Sequence, residues 1–580
     1  MAKVLIIPGV SRKRTPGENA ARSKRSPAPQ SGETAGDAIN HCHSTGKKQF
    51  FPINLKMEGL SNMKTFRYDD VPVLETTSGQ LKGYFYDGQY IFKGVPYAHA
   101  GRFQRPVPSC WEGVKDATSY GFVCPLMAQD TPSAELLVPH RYWPMDEHCQ
   151  NLNIWTGCLD EGAKKPVVVW LHGGGYFAGS SIEQAAYDGA NMSREGDVVV
   201  VSVNHRLNIL GYLDLSPFGE KYKNSGNAGH ADLVAALQWV HDNISRFGGD
   251  PDNVTIFGQS GGGMKVADLM QIPAADGLFH RGLIMSGVAD EGLSPSCEGS
   301  GEEIVKAMLA ELGLTVADVE KLETLPYPQL VQAYTKVMPA VAASGGYVGG
   351  GPMVNDWFAG NPLQHGMREH AFEIPLMVGS VFGEFFSFAP VPFDKTALSQ
   401  QEAAAIVSRV YGKHTQDALT AFAEAYPGKY PTDLLALDRV MRAPSKKLAA
   451  MHAAGNKAGT YLYNFTLEFP MEHKIAWHCA DIPFFFHNTE KVEICSIPGV
   501  TEKLEAQIFG AFMRFVKTGV PAQADLPAWP PVTGTAEPTM IFDRECRVRD
   551  HYDDALLRLI DAALPPFNLM EMMAQMDIQH

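Results

Sequence analysis

Gly258-Gln259-Ser260-Gly261-Gly262 is the stretch on which the fold of this 580-residue chain turns. It follows an apolar, β-branched run, Val254-Thr255-Ile256-Phe257, and precedes a helix-like segment from Met264 to Met270. A serine on a sharp strand-to-helix turn has its hydroxyl lifted clear of the backbone, and small neighbours avoid the clashes that such a turn creates. The pattern alone is weak, because glycine and serine are common. The strand before it and the helix after it are what make it read as a nucleophile elbow.

The texture on either side agrees. Val167-Val168-Val169-Trp170-Leu171 and Val198 to Val203 are continuous apolar runs, the signature of strands buried on both faces of a parallel sheet. Between them and the serine, Val234, Leu237, Val240, Ile244 and Phe247 recur at spacings of three and four, which predicts one face of a helix. Strand, helix, strand, turn and helix in that order is repeated βαβ, and it predicts a mostly parallel sheet with right-handed crossovers. Gly282 to Ser286, Ile374 to Gly379 and Tyr461 to Phe465 are further strand candidates. Helical patterns fill the gaps, among them Ile304, Val305, Met308, Leu309 and Leu312, and a stretch from Ala403 to Val410. Insertions there would stand over the carboxyl ends of the strands, where such sheets bind ligands. The expected fold class is therefore α/β: an α/β-hydrolase, a central sheet with helices on both faces and helical insertions over the site, at about 300–370 and 390–455.

Composition narrows the partners. Hydrophobic residues make up 45% of the chain and charged residues 19%, ordinary values for a globular protein. A net charge of −15 argues against nucleic acid and for a monomer or small homo-oligomer. No apolar run is long enough to cross a bilayer. Residues 1–63 differ, with ten Lys or Arg against four Asp or Glu, a net +6, and Ser11 to Lys48 has no apolar period. Residues 1–62 read as a disordered tail or as sequence upstream of a later start, since Met57 and Met63 are alternatives, and 63–580 as one catalytic domain. The piece Val4 to Val10 is short and broken by Pro8, so no export signal is expected. Nine cysteines spread thinly do not make a disulfide scaffold. His41-Cys42-His43 lacks a second ligand pair, and no metal or organic cofactor is expected.

A serine hydroxyl needs a base, an orienter for the base and donors for the oxyanion. His172-Gly173-Gly174-Gly175-Tyr176 directly follows the strand at 167–171, and three glycines let backbone N–H groups converge on one point. With the N–H of Gly261 they would form an oxyanion hole; alternatively the loop is a flexible turn. The acid should follow the serine and the base should come last. Gly379-Ser380-Val381-Phe382-Gly383-Glu384 ends in a carboxylate beside Phe385, Phe386 and Phe388, which could line a substrate pocket or pack a core. Trp477-His478-Cys479-Ala480-Asp481 supplies a late histidine, though a lone histidine is more often structural. Gly258 to Gly263 imitates the start of a phosphate loop, but Met264 stands where the lysine must be and Lys265 comes one residue late.

Assembled, the chain resembles the type-B carboxylesterase and cholinesterase family from about Val73 to about Leu564. Phe92-Lys93-Gly94-Val95-Pro96-Tyr97-Ala98, Arg102-Phe103 through Pro106, Glu147 to Trp155, Asn204-His205-Arg206-Leu207 and Phe247 through Ser260 are similar to its motifs. The resemblance implies Ser260 as nucleophile, Glu384 as acid and His478 as base, with the N–H groups of Gly174, Gly175 and Gly261 as the oxyanion hole. It implies a structural ion pair between Arg102 and Glu147, and a supporting role for Ser286 near the triad. It places Cys124 and Cys149 where the family has its first disulfide. The other family bridges have no counterparts, which points to a cytoplasmic, bacterial-type enzyme with free thiols. Three departures stand out: Gln259 and Gly261 replace the family's usual Glu and Ala, and Phe385 replaces the Gly after the acid. The aromatic that grips choline in cholinesterases has no partner in register near Pro139, so choline-ester selectivity is not expected. The resemblance implies ester hydrolysis of small molecules through an acyl-enzyme. The alternatives are a specialised hydrolase acting on feruloyl-type, carbamate or amide substrates, or a non-catalytic binding module.

Overall fold

The computed structural model describes residues 64–127, 138–288, 298–388, 392–455 and 457–565. The expected tail at 1–62 and the His41-Cys42-His43 cluster lie outside them. A twelve-stranded sheet organises the described residues. Its strands in chain order are β1 (Phe66–Arg67), β2 (Tyr84–Tyr86), β3 (Gln89–Pro96), β4 (Asn151–Thr156), β5 (Lys165–Leu171), β6 (Val199–Val203), β7 (Gly249–Gln259), β8 (Arg281–Met285), β9 (Leu376–Val381), β10 (Thr460–Phe465), β11 (Pro538–Phe542) and β12 (Arg547–Asp550). Across the sheet they run β1-β2-β3-β4-β6-β5-β7-β8-β9-β10-β11-β12. Every pairing from β6 to β11 is parallel, and the flanking pairs are antiparallel.

The apolar runs form these strands because both of their faces are covered. In β5, Val167, Val169 and Leu171 feed one core, and Val168 and Trp170 feed the other. In β7, Val254 and Ile256 face the first core and Phe257 the second. A period of two on a sheet buried from both sides puts apolar residues on both faces, and the few polar ones, such as Thr255 and Ser202, are buried with them. The helix after β6 spans Ala228–Asn243. Its buried stripe is Leu233, Ala236, Leu237 and Val240; of the predicted face Leu237 and Val240 are buried, and Val234 is only half-buried. The pattern then continues in a separate 3-10 turn, Ile244–Phe247, which seats Ile244 and Phe247 in the same core.

Both insertions leave the carboxyl ends of parallel strands. The first follows β8 and carries helices Glu302–Glu311 and Tyr327–Ala343. Ile304, Val305, Met308 and Leu309 pack with Ile209, Leu213 and Tyr222. Leu312 is only half-buried beside them. The second follows β9 and carries Gln400–Tyr411, started by a Ser399–Glu402 capping box, and Thr415–Ala425. Val407 and Phe422 join Phe382 and Trp477 in one core. Arg102 pairs with Glu147, its Nε 2.8 Å from Oε2, and also donates to the carbonyls of Leu322 and Leu325 at 2.8 and 2.7 Å. The ion pair thus fastens the first insertion to the sheet. Cys124 and Cys149 are free thiols in one small buried cluster. No described helix is long and apolar enough to cross a membrane.

Candidate active site

The elbow is tight because its glycines let backbone meet backbone. A Cβ at Gly262 would be driven into the Leu171 carbonyl, and one at Gly258 would lie 2.7 Å from the same oxygen. The turn holds Ser260 at φ 57° and ψ −127°, a conformation that side chains rarely adopt. Its N–H donates to Met285 O at 2.8 Å, so the end of β8 braces the turn. The helix Gly261–Leu269 follows at once.

Three loops from other strand ends converge on Ser260. After β5, Gly174 and Gly175 adopt left-handed φ values of 87° and 61° and bring the Gly175 backbone onto Gly261. Among the described residues the N–H groups of Gly174, Gly175 and Gly261 donate to nothing. After β9, Glu384 sits at φ 39°, fully buried, and its Oε1 accepts the Val381 N–H at 2.9 Å. After β10, His478 places Nδ1 2.5 Å from Glu384 Oε2, and its N–H donates to Glu384 O at 3.2 Å. Phe385, where a glycine was the usual neighbour, has no positive φ of its own, so its backbone does not demand glycine. Phe385 covers the imidazole, with ring centroids 4.1 Å apart.

Ser286 lies fully buried at the end of β8 with φ 45°, and its N–H donates to Gly379 O at 2.8 Å. Its hydroxyl has no partner among the described residues. Of the three phenylalanines offered as pocket lining, Phe385 stacks on the imidazole. Phe386 lies under Arg439, and Phe388 packs on the core beside Lys474. Ser260 and His478 are not hydrogen-bonded to each other; in enzymes without substrate such bonds often form only on binding.

Other residues at the site carry no role in the sequence reading, where Gln259 figures only as a departure from the family. Gln259 is 1% exposed, and its amide nitrogen lies 3.4 and 3.3 Å from the two ring nitrogens of His478. Cys479, at φ 82°, donates its thiol to Gln259 Oε1 at 3.1 Å. Two buried carboxyls flank the Glu384–His478 pair. Burial, with help from Glu384, pushes Asp438 up to about 7. Burial also raises Asp481 to about 7, against the Tyr463 hydroxyl that donates to it at 2.7 Å. Asp481 stood in the quoted His478 stretch, but Asp438 carries no sequence signal linking it to Glu384.

A parallel sheet with a strained serine between β7 and a helix, and a carboxylate–imidazole pair at later strand ends, is the arrangement of an α/β-hydrolase. The chain belongs to the carboxylesterase family, whose model matches residues 70–559, and so to the carboxylic ester hydrolases. It is 31% identical over 491 residues to the para-nitrobenzyl esterase of Bacillus subtilis (strain 168), covering 82% of this chain and 96% of that one. It is 32% identical over 484 residues to the phenmedipham hydrolase of Pseudarthrobacter oxydans, covering 79% and 92%. Among solved structures, an esterase from anaerobic Clostridium hathewayi, described as hydrolysing aliphatic aromatic polyesters, is 56% identical. It covers 87% of this chain and 100% of its own, with a TM-score of 0.85.

Proposed function

We propose that this chain is a serine carboxylesterase working through Ser260, His478 and Glu384 and a covalent acyl-enzyme. The observation that carries this reading is the 2.5 Å bond from His478 Nδ1 to the buried Glu384, beside a serine held in a strained elbow. His478 Nε2 takes the Ser260 proton as Oγ bonds to the ester carbonyl carbon. Glu384 fixes the tautomer that leaves Nε2 free and stabilises the imidazolium. The carbonyl oxygen, now negative, sits on the N–H groups of Gly174, Gly175 and Gly261. The carbon–oxygen bond to the leaving alcohol breaks, and His478 protonates that alcohol. Water, deprotonated by His478, then attacks the acyl carbon, and Ser260 regains its proton. No step calls for a metal or an organic cofactor. Residues from about 63 onward form the one catalytic domain in this reading.

Substrates with aromatic groups are favoured. Phe385 covers the base, and Phe177, 40% exposed, stands just beyond the oxyanion loop. The 56% identical structural relative, described as acting on aliphatic aromatic polyesters, supports the same class. The test is release of p-nitrophenol from acyl esters of increasing length, and of soluble acid from an aliphatic–aromatic polyester film, by wild type and Ser260→Ala. Activity confined to the wild type is expected. A wild type no faster than the variant on both would overturn the reading.

A further inference from the structure

The glycine loop at 172–176 is tied at both ends to the helix that follows the nucleophile. Lys265 lies in Gly261–Leu269 with its side chain fully buried, and Nζ donates to His172 O at 3.0 Å. Three residues on, Asp268 Oδ2 accepts the Tyr176 hydroxyl at 2.6 Å and faces His230 Nε2 at 3.1 Å. His172 and Tyr176 bracket Gly173, Gly174 and Gly175. A spacing of three puts Lys265 and Asp268 on one face of the helix, and that face meets the loop.

A run of glycines has the most backbone freedom to lose, so it holds donors in place only when something outside it fixes the ends. Oxyanion donors act because they are already oriented when charge develops. We propose that Lys265 and Asp268 form a two-point clamp that sets the oxyanion loop against Ser260. Both are positioning residues, since neither reaches the reacting atoms. The inference rests on the triad reading above. The surroundings suit a tether better than an ion pair. Asp268 is the carboxylate that acts on Lys265, while burial, and then Lys265 itself, holds the imidazoles of His172 and His205 well below the usual histidine range. Burial lowers the Lys265 ammonium to about 7. Keeping such a group inside costs stability, so losing it should not unfold the protein.

The experiment compares wild type, Lys265→Met and Asp268→Asn. It reads kcat and KM on p-nitrophenyl acetate, inhibition by a trifluoromethyl ketone, organophosphate labelling of Ser260, and Tm. The ketone adds to the serine and places an oxyanion in the hole, so it reports the loop geometry directly. Each variant is expected to lose roughly 10- to 100-fold in kcat, the scale of a small misplacement at a reacting centre, with KM within about threefold. The ketone should weaken in the same proportion, and the Tm of Lys265→Met should equal or exceed that of wild type. Wild-type kcat in both variants would overturn the clamp. So would a loss of kcat that follows a fall in Tm and leaves the ketone unaffected. A wild type that is not labelled at Ser260 would remove the triad reading, and the clamp with it.

Discussion

The Gln259 carboxamide lies against the His478 imidazole, its nitrogen almost equally far from Nδ1 and Nε2, at 3.4 and 3.3 Å. It commits to neither ring nitrogen, so it acts as a wall. Phe385 is another wall, and the thiol of Cys479 holds the amide in place through Oε1. Gln259→Ala should therefore lower kcat about tenfold by letting the ring turn, with KM nearly unchanged. Steady-state kinetics with a Tm measurement checks this. A lower Tm with intact kcat would mean that Gln259 only packs.

Gly261 touches the glycine loop after β5 more closely than any side chain permits. A Cβ there would overlap the Gly175 carbonyl and lie 2.5 Å from the Gly175 nitrogen. Gly261→Ala keeps its own N–H but must push Gly175 away. A drop of roughly 10- to 100-fold in kcat is expected, although the family usually carries alanine at this position. A variant as fast as wild type would mean that the loop gives way at no cost.

Glu384→Gln keeps the shape of the acid and its bond from Val381 but removes the charge that faces His478 Nδ1. Where the orienting carboxylate of a serine triad is made neutral, the wrong tautomer is stabilised and kcat falls by several orders of magnitude. A loss of roughly a thousandfold or more is expected here. Single-turnover acylation would locate the loss in the step in which Ser260 attacks.

Asp481 makes stability depend on pH. Burial pushes its carboxyl up to about 7 from the ordinary 3.8. Between those values the folded chain holds a proton that the unfolded chain has released. Stability therefore falls as pH rises through that window, and the cost is complete above about 7. Glu384, His478 and the Tyr463 hydroxyl are the groups that face it. Asp481→Asn should match wild-type Tm near pH 4 and exceed it by several degrees near pH 8, a gain of about 4 kcal/mol for a shift of that size. Thermal melts across that range decide it. An equal gain at both ends would rule out titration of Asp481.

Much of this was legible in the chain. The strands at 167–171, 198–203 and 254–257 could be read because two-sided burial demands unbroken apolar runs, and those runs are local. The elbow could be read because glycines around a serine are needed wherever a strand turns so sharply into a helix. The helix at 228–243 was found with its face in place except at Val234, where the equally apolar Leu233 takes the buried position. Glu384 and His478 emerged from their order after Ser260 and the motifs around it, not from any local demand of their own.

By itself, then, the sequence determined the parallel sheet, the strained serine turn and the glycine loop after β5, since each is a demand of neighbouring residues on one another. Only the tertiary structure decided that Gln259 lies against the imidazole, that Phe385 stacks on it, and that Lys265 and Asp268 bond to opposite ends of the glycine loop at 172–176. Those contacts join loops from different strands across tens to hundreds of residues. Their geometry depends on how the sheet twists and how the insertions pack against it, and no short stretch of chain encodes that.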